Sequence, residues 1–279
     1  EQPPGRYAAG EESALADWVG GGRGLPAFRP DKTVPLSVRR RPALVQNAET
    51  MAQLALVARH GADWFRTAGL PDAPGTTLVT LCGGLPHPGV VEVELGTPLG
   101  AVLELGGWSG RPQGVLLGGY GGAFLSGDHL DVAYAPAPLA ARGAAVGAGI
   151  VGVVPEGACG VAETARIVAY LAGQSAGQCG PCTFGLPALA EDLALLTRGG
   201  ADRRLLERLD LRLGLVEGRG ACRLPDGAVR LVRSALAAFA DDVAAHARRR
   251  PCPAWNRQAL FPAPAPGPAP LPPRPGAGR

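Results

Sequence analysis

The chain is poor in those features that would place it in several large functional classes. Among 279 residues there is one methionine, Met51, and a single lysine, Lys32, so nearly all positive charge is carried by arginine. The formal net charge is only +3, which gives little electrostatic support to a nucleic-acid role. The basic runs Arg39–Arg41 and Arg248–Arg250 are expected to be solvated surface. No uninterrupted apolar run is long enough to span a bilayer. The most apolar region, 132–154, is broken by Pro136, Pro138, Arg142 and several glycines, and reads as buried strands and turns. The six cysteines (82, 159, 179, 182, 222 and 252) form no dense disulfide framework, and no signal peptide precedes them, so a reducing, cytoplasmic setting is expected. The four histidines (60, 87, 129 and 246) are scattered, with no pair at metal-ligand spacing.

What is abundant is glycine (42) and proline (28), together with alanine and arginine. Strong apolar periodicity persists across this bias, so the length supports a buried core and two or three compact units. A short helix is expected over 13–19, with Glu11 and Glu12 placed to cap it and to complement its dipole. A Gly/Pro-rich loop covers 20–35, and an amphipathic helix carrying Met51, Leu54 and Val57 follows Asn47, its expected N-cap. Residues 77–81 and 89–93 read as a hairpin, 99–105 as a short helix and 115–117 as a further strand. That strand runs into Gly118-Gly119-Tyr120-Gly121-Gly122, read as a tight turn, with phosphate binding the competing reading.

After an apolar strand at 149–154, four helical patterns follow, at 161–173, from Pro187 to Thr197, from Asp202 to Leu213, and from Asp226 to Val243. Short connections make them an antiparallel bundle. From Pro251 onward the chain is Pro/Ala-rich and is expected to be disordered.

The chemistry concentrates on Cys179-Gly180-Pro181-Cys182 and Cys222, thiols in two inter-helix loops at one end of that bundle. Two thiolates two residues apart, joined by a third from a distant loop, point to an iron–sulfur or zinc site that is one ligand short. Cys-Gly-Pro-Cys is also a thioredoxin-type tetrapeptide, but that motif needs a preceding strand, and a helical pattern stands there instead. Cys82, Cys159 and Cys252 have no partners at ligand spacing and read as incidental, Cys159 being a remote candidate for the missing ligand.

Several motifs, in order, resemble one family. Gly10-Glu11-Glu12-Ser13-Ala14-Leu15, Gln46-Asn47-Ala48-Glu49-Thr50, Gly61-Ala62-Asp63-Trp64-Phe65, Pro88-Gly89-Val90, Gly177-Gln178-Cys179-Gly180-Pro181-Cys182 and Gly218-Arg219-Gly220-Ala221-Cys222 resemble the C-terminal two-thirds of the NADH-binding flavoprotein (F) subunit of respiratory complex I. Related chains occur in NAD-linked hydrogenases and formate dehydrogenases. The resemblance implies an α+β multidomain fold. Residues 1–70 would end an α/β flavin domain, 71–155 would form a ubiquitin-like β-grasp (SLBB) domain with its return strand, 156–250 would be a four-helix iron–sulfur bundle, and 251–279 a disordered tail.

It further implies that Tyr7, Gly10, Glu11 and Glu12 lie beside flavin and nicotinamide, that Gln46 and Asn47 reach the flavin's polar tail, and that Cys179, Cys182 and Cys222 ligate a 4Fe-4S or 3Fe-4S cluster. No residue is assigned a catalytic role of its own. The family's first cluster cysteine falls on Ala176, and its glycine-rich flavin loop does not occur in this sequence. The sequence starts at Glu1, not Met, and further residues are expected before it; FMN and NADH are expected only together with that loop. The implied role is electron transfer in an NADH:quinone oxidoreductase-type subunit, with a ferredoxin or another oxidoreductase subunit as partner. The expected location is the cytoplasm, peripheral to a membrane-bound complex and without direct insertion. A cluster-free SLBB binding or assembly module is the alternative.

Overall fold

The computed structural model describes residues 2–29, 33–200, 202 and 204–263. A 3₁₀ turn, Tyr7–Gly10, leads into α1 (Glu12–Val19). Glu11 caps α1 by accepting the N–H groups of Ser13 and Ala14 at 2.9 and 3.1 Å, so the capping role read from the sequence holds. Then β1 (Leu36–Val38) and β2 (Arg41–Ala43) form a small hairpin. Its turn places Arg39 and Arg40 at φ 51° and 64° and points the arginine run into solvent. Next come α2 (Ala48–His60) and α3 (Ala62–Phe65). Asn47 stands at the α2 N-cap position, but its side chain makes no capping bond, and no α2 residue is buried.

The short strands β3 (Gly69–Leu70) and β4 (Ala73–Pro74) precede the main sheet. That sheet is built from β5 (Thr76–Gly83), β6 (Gly89–Glu94), β7 (Gly114–Leu117), β8 (Ala123–Ser126) and β9 (Ile150–Val154), with α4 (Leu99–Leu105) and α5 (Pro136–Ala140) in its connections. The order is β6-β5-β9-β7-β8, and β5 runs parallel to β9 with Leu81 opposite Val151. A hairpin, a covering helix and a central parallel pair closed by the last strand make a β-grasp. Residues alternate between faces along each strand. Val115, Leu117, Val151 and Val153 therefore pack under Leu99, Val102 and Leu103 of α4, while Leu116, Phe124 and Val154 point the other way, into the helical bundle. Each fully buried side chain of this kind contributes roughly 1.5–3 kcal/mol.

The bundle contains α6 (Gly160–Gly173), a π-helical turn Pro181–Gly185 running into α7 (Leu186–Thr197), then α8 (Leu205–Val216), α9 (Leu224–Ala238) and α10 (Ala240–Ala247). The last pattern, expected as one helix from Asp226, starts two residues earlier and breaks at Phe239, whose backbone leaves helical geometry (φ −114°, ψ 35°). The break lets its ring enter the core beside Phe124, 5.0 Å between centroids, against Gly160. A Cβ at Gly160 would sit 2.5 Å from that ring, so the helix start must be glycine for the aromatic to fit.

The expectation of a disordered segment from Pro251 is corrected for 251–263; residues 264–279 lie outside the described residues. Phe261 is 2% exposed and joins the same core, and the N–H groups of Leu260 and Phe261 donate to the buried carboxylate of Glu163 at 3.1 and 3.4 Å. One large apolar side chain and one polar anchor offset the ordering entropy of a proline-rich stretch. Among the described residues no helix is long and apolar enough to cross a membrane.

Candidate metal centre

The thiol loop begins where α6 ends. Gly177 takes a left-handed φ of 65°, and the Thr183 N–H bonds back to the Cys179 carbonyl at 2.9 Å, which winds the chain into the π-helical turn. Cys182 lies in that turn and is buried, and Cys179 is half-buried. The loop between α8 and α9 brings in Cys222, also half-buried; the Asp226 carboxylate holds the loop by accepting the Gly218 N–H at 2.8 Å. Burial, and then the neighbouring Cys179, push the Cys182 thiol up to about 12, Cys222 adding to the effect, while a hydrogen bond from Ser175 pulls the other way. Cys222 is likewise raised, by burial first, then by Cys179 and Glu11.

These mutual influences put the three sulfurs in one neighbourhood, where a cation binding them would displace protons and relieve their repulsion. A redox-active thiol needs the opposite, a lowered pKa, and α6 rather than a strand precedes the motif; the thioredoxin reading is not supported. The donor set fits an iron–sulfur cluster held by three thiolates, with Ala176 unable to supply a fourth.

Beside this pole lies a cavity of about 460 Å³, lined by Tyr7, Gly10, Glu11, Gly121, Cys222 and Arg230 among others. The thiol loop itself holds the N-terminal wall. Gln174 accepts the Tyr7 N–H at 3.0 Å, and the Gln178 side-chain amide donates to the Pro26 carbonyl at 2.9 Å. The Tyr7 ring meets Tyr170 edge-on at 6.4 Å, and burial raises its hydroxyl pKa. Arg230 donates to the Gly121 carbonyl at 2.9 Å, closing the far wall. The glycine cluster is a tight turn, with Gly118 and Gly119 at φ 78° and 88°.

Glu12 pairs with Arg29 at 3.1 Å and lines an adjoining cavity of about 240 Å³, which Glu11 and Cys222 share. Gln46 and Asn47 are exposed ahead of α2 and do not line either cavity. Thus Tyr7, Gly10, Glu11, Glu12 and the three cysteines come together, and the two amides stand apart. Gln174 and Arg230 were not foreseen. Neither belongs to a motif, and only a buried glutamine at a helix end hints at the first.

Two expectations are corrected at the opposite end of α6. Cys159, Cys252 and His246 are neither incidental nor scattered: their donor atoms all lie within 4.8 Å of one another. They offer a second set of residues able to hold a metal. Cys159 caps the N-terminus of α6, and that helix has 14 residues, about 21 Å of rise. It therefore cannot be the missing ligand beside Cys179 and Cys182, which follow the other end. Burial pushes the Cys159 thiol up to about 12, with the neighbouring Cys252 adding to the effect.

Residues 162–246 match the family described as the NADH-ubiquinone oxidoreductase-F iron-sulfur binding region, which encloses Cys179, Cys182 and Cys222. The chain is 32% identical over 253 residues to the F subunit of the NADH-quinone oxidoreductase of Streptomyces coelicolor, covering 89% of this chain and 56% of that one. It is 31% identical over 263 residues to the NADP-reducing hydrogenase subunit HndC of Solidesulfovibrio fructosivorans, covering 92% and 53%. A crystal structure of an NAD⁺-reducing [NiFe]-hydrogenase in the H₂-reduced state superposes with a TM-score of 0.78 at 29% identity, over 89% of this chain and 42% of that one. The chain spans about half the length of the curated relatives it matches. The ordered motifs, the β-grasp and bundle, and the matched iron–sulfur binding region together make this chain an F-subunit-like member of the NADH-quinone oxidoreductase family.

Proposed function

We propose that the chain is an electron-transfer module in which Cys179, Cys182 and Cys222 hold an iron–sulfur cluster. The observation that carries this reading is the convergence of three thiols from two loops, two of them with raised pKa, inside the matched iron–sulfur region. When bound, such a cluster takes up and releases electrons one at a time, at a potential tuned by its ligands and surroundings. The residues around it set those surroundings. Buried Cys182 keeps water from one side, Ser175 donates a hydrogen bond to a ligand sulfur, and Glu11 places negative charge near Cys222.

The adjoining cavity, with Tyr7 on one wall, Glu11 at its edge and Arg230 opposite, suits a planar aromatic cofactor with polar substituents. FMN and NADH are its expected occupants only together with a glycine-rich flavin loop, since the relatives' names carry NADH, NAD⁺ or NADP. Another oxidoreductase subunit is the expected partner, a ferredoxin being the more specific choice. Ala176 favours a second reading, a cluster-free binding or assembly module.

Anaerobic purification followed by iron and sulfide determination separates the two. The electron-transfer reading expects about three to four irons per chain with visible thiolate-to-iron absorption, lost in Cys222→Ser. A colourless protein that takes up no iron on reconstitution establishes the cluster-free module instead.

A further inference from the structure

We propose that Cys159, Cys252 and His246 form a second metal site, a two-thiolate, one-imidazole site for a single zinc-class divalent cation. His246 is fully buried, and its Nδ1 lies 2.8 Å from the Thr197 carbonyl and 3.2 Å from that of Leu196. A ring nitrogen facing two acceptors carries the proton, so Nε2 presents its lone pair. That lone pair faces Cys159 Sγ at 3.5 Å. Pairing one imidazole nitrogen with a backbone carbonyl is how proteins orient a histidine whose other nitrogen ligates metal.

Cys159 stands at the start of α6, and its sulfur accepts the Ala162 N–H at 3.3 Å, an arrangement that favours the thiolate. Two thiolates cancel a dipositive charge, leaving the neutral complex that a buried site tolerates. A tetrahedral ion with bonds of about 2.0–2.3 Å holds its donors roughly 3.3–3.8 Å apart. Donors already within 4.8 Å need close by only about 1 Å, and the spacing is too tight for a multi-iron cluster. The turn that carries Cys252 is half-buried and supplies that movement. Its amide, which donates to Nε2 at 3.3 Å, gives up this bond on ligation. The metal would then clip the segment after α10 to the start of α6, next to the core that receives Phe261.

The test uses the full chain with Cys179, Cys182 and Cys222 all changed to serine, titrated anaerobically with Co²⁺. The expected result is one cobalt per chain, with thiolate charge-transfer and tetrahedral ligand-field bands that zinc bleaches. Adding Cys252→Ser should weaken binding at least tenfold while circular dichroism stays native. If the triple variant does not fold, elemental analysis of the chain with its native cluster thiols decides. There Cys252→Ser should remove one equivalent of zinc and leave iron unchanged. Equal zinc in both proteins, a folded triple variant without cobalt bands, or a freshly purified chain two hydrogens lighter through a Cys159–Cys252 disulfide overturns the site.

Discussion

Glu11 performs a structural task at the edge of the candidate redox site, and the two roles can be separated. Its Oε2 accepts the N–H groups of Ser13 and Ala14 at 2.9 and 3.1 Å, and the Ser13 hydroxyl as well. Ser13, almost fully buried, in turn accepts the Ala27 N–H at 2.8 Å, so one carboxylate oxygen starts α1 and anchors the returning loop. Glu11→Ala removes an N-cap worth about 1 kcal/mol and strands a buried hydroxyl donor at about 1–2 kcal/mol more, a loss of about 2–3 kcal/mol. Glu11→Gln keeps an acceptor oxygen and loses only the charge assistance, about 1 kcal/mol. Urea unfolding followed by tryptophan fluorescence measures both, since Trp18 lies on α1. A Glu11→Ala protein within about 0.3 kcal/mol of the parent would refute the capping argument.

Glu11→Gln also reports on the site. The carboxylate's negative charge opposes ionisation of Cys222, so its removal lowers that thiol's pKa. In the metal-free, reduced protein, the alkylation rate of Cys222 against pH should shift to lower pH in Glu11→Gln. No shift would show that the carboxylate does not act on this thiol.

Other substitutions probe the remaining elements. Phe261→Ala should cost about 3–5 kcal/mol if the segment after α10 folds with the core, and a loss below about 1 kcal/mol in denaturant titration would mean it peels away independently. Asp192, almost fully buried, pairs with Arg208 at 3.0 Å and Arg212 at 2.7 Å. Asp192→Ala should cost about 3 kcal/mol, the arginines being able to turn partly to water, and a thermal shift near zero would contradict the pairing. Ala176→Cys restores a three-residue step to Cys179 and Cys182. It should raise iron per anaerobically reconstituted chain and protect the cluster from air, and unchanged iron and lability would argue against the position facing the cluster.

The sheet and the helix starts were legible because they follow local rules. The alternation in β5, the glycine and prolines before β6, and Pro187 in the first turn of α7 each declare themselves within a few residues. The β1–β2 hairpin was not, because Arg39 and Arg40 turn the chain in left-handed geometry without glycine or asparagine. The break at Phe239 and the burial of Phe261 are tertiary decisions: each ring's place depends on partners far along the chain. The same holds for the candidate sites. Cys179 and Cys182 announce themselves by spacing, whereas Cys159 and His246 stand 87 residues apart and meet only after α6 and α10 pack.

The two thiol groups also differ in what holds them. Cys159 and His246 sit at a close-packed apolar cluster with Leu196, Leu205 and Val243, whose burial fixes the pole around them. The cavity beside Cys222 is closed on one side by the N-terminal segment and α1, whose buried residues are only Ser13, Ala14 and Ala16. So little apolar area contributes modestly, and the segment depends on polar pins of about 1 kcal/mol each: the Glu11 cap, Gln174 on Tyr7 and Gln178 on Pro26. Two of those pins come from the loop that carries Cys179, on either side of Ala176. Ordering that loop by filling its thiols therefore tightens the Tyr7 wall, and loosening the wall frees the loop. The candidate redox pole and its cofactor-sized cavity thus form one cooperative unit, and by this balance it opens before the sheet or the Cys159 end of the bundle.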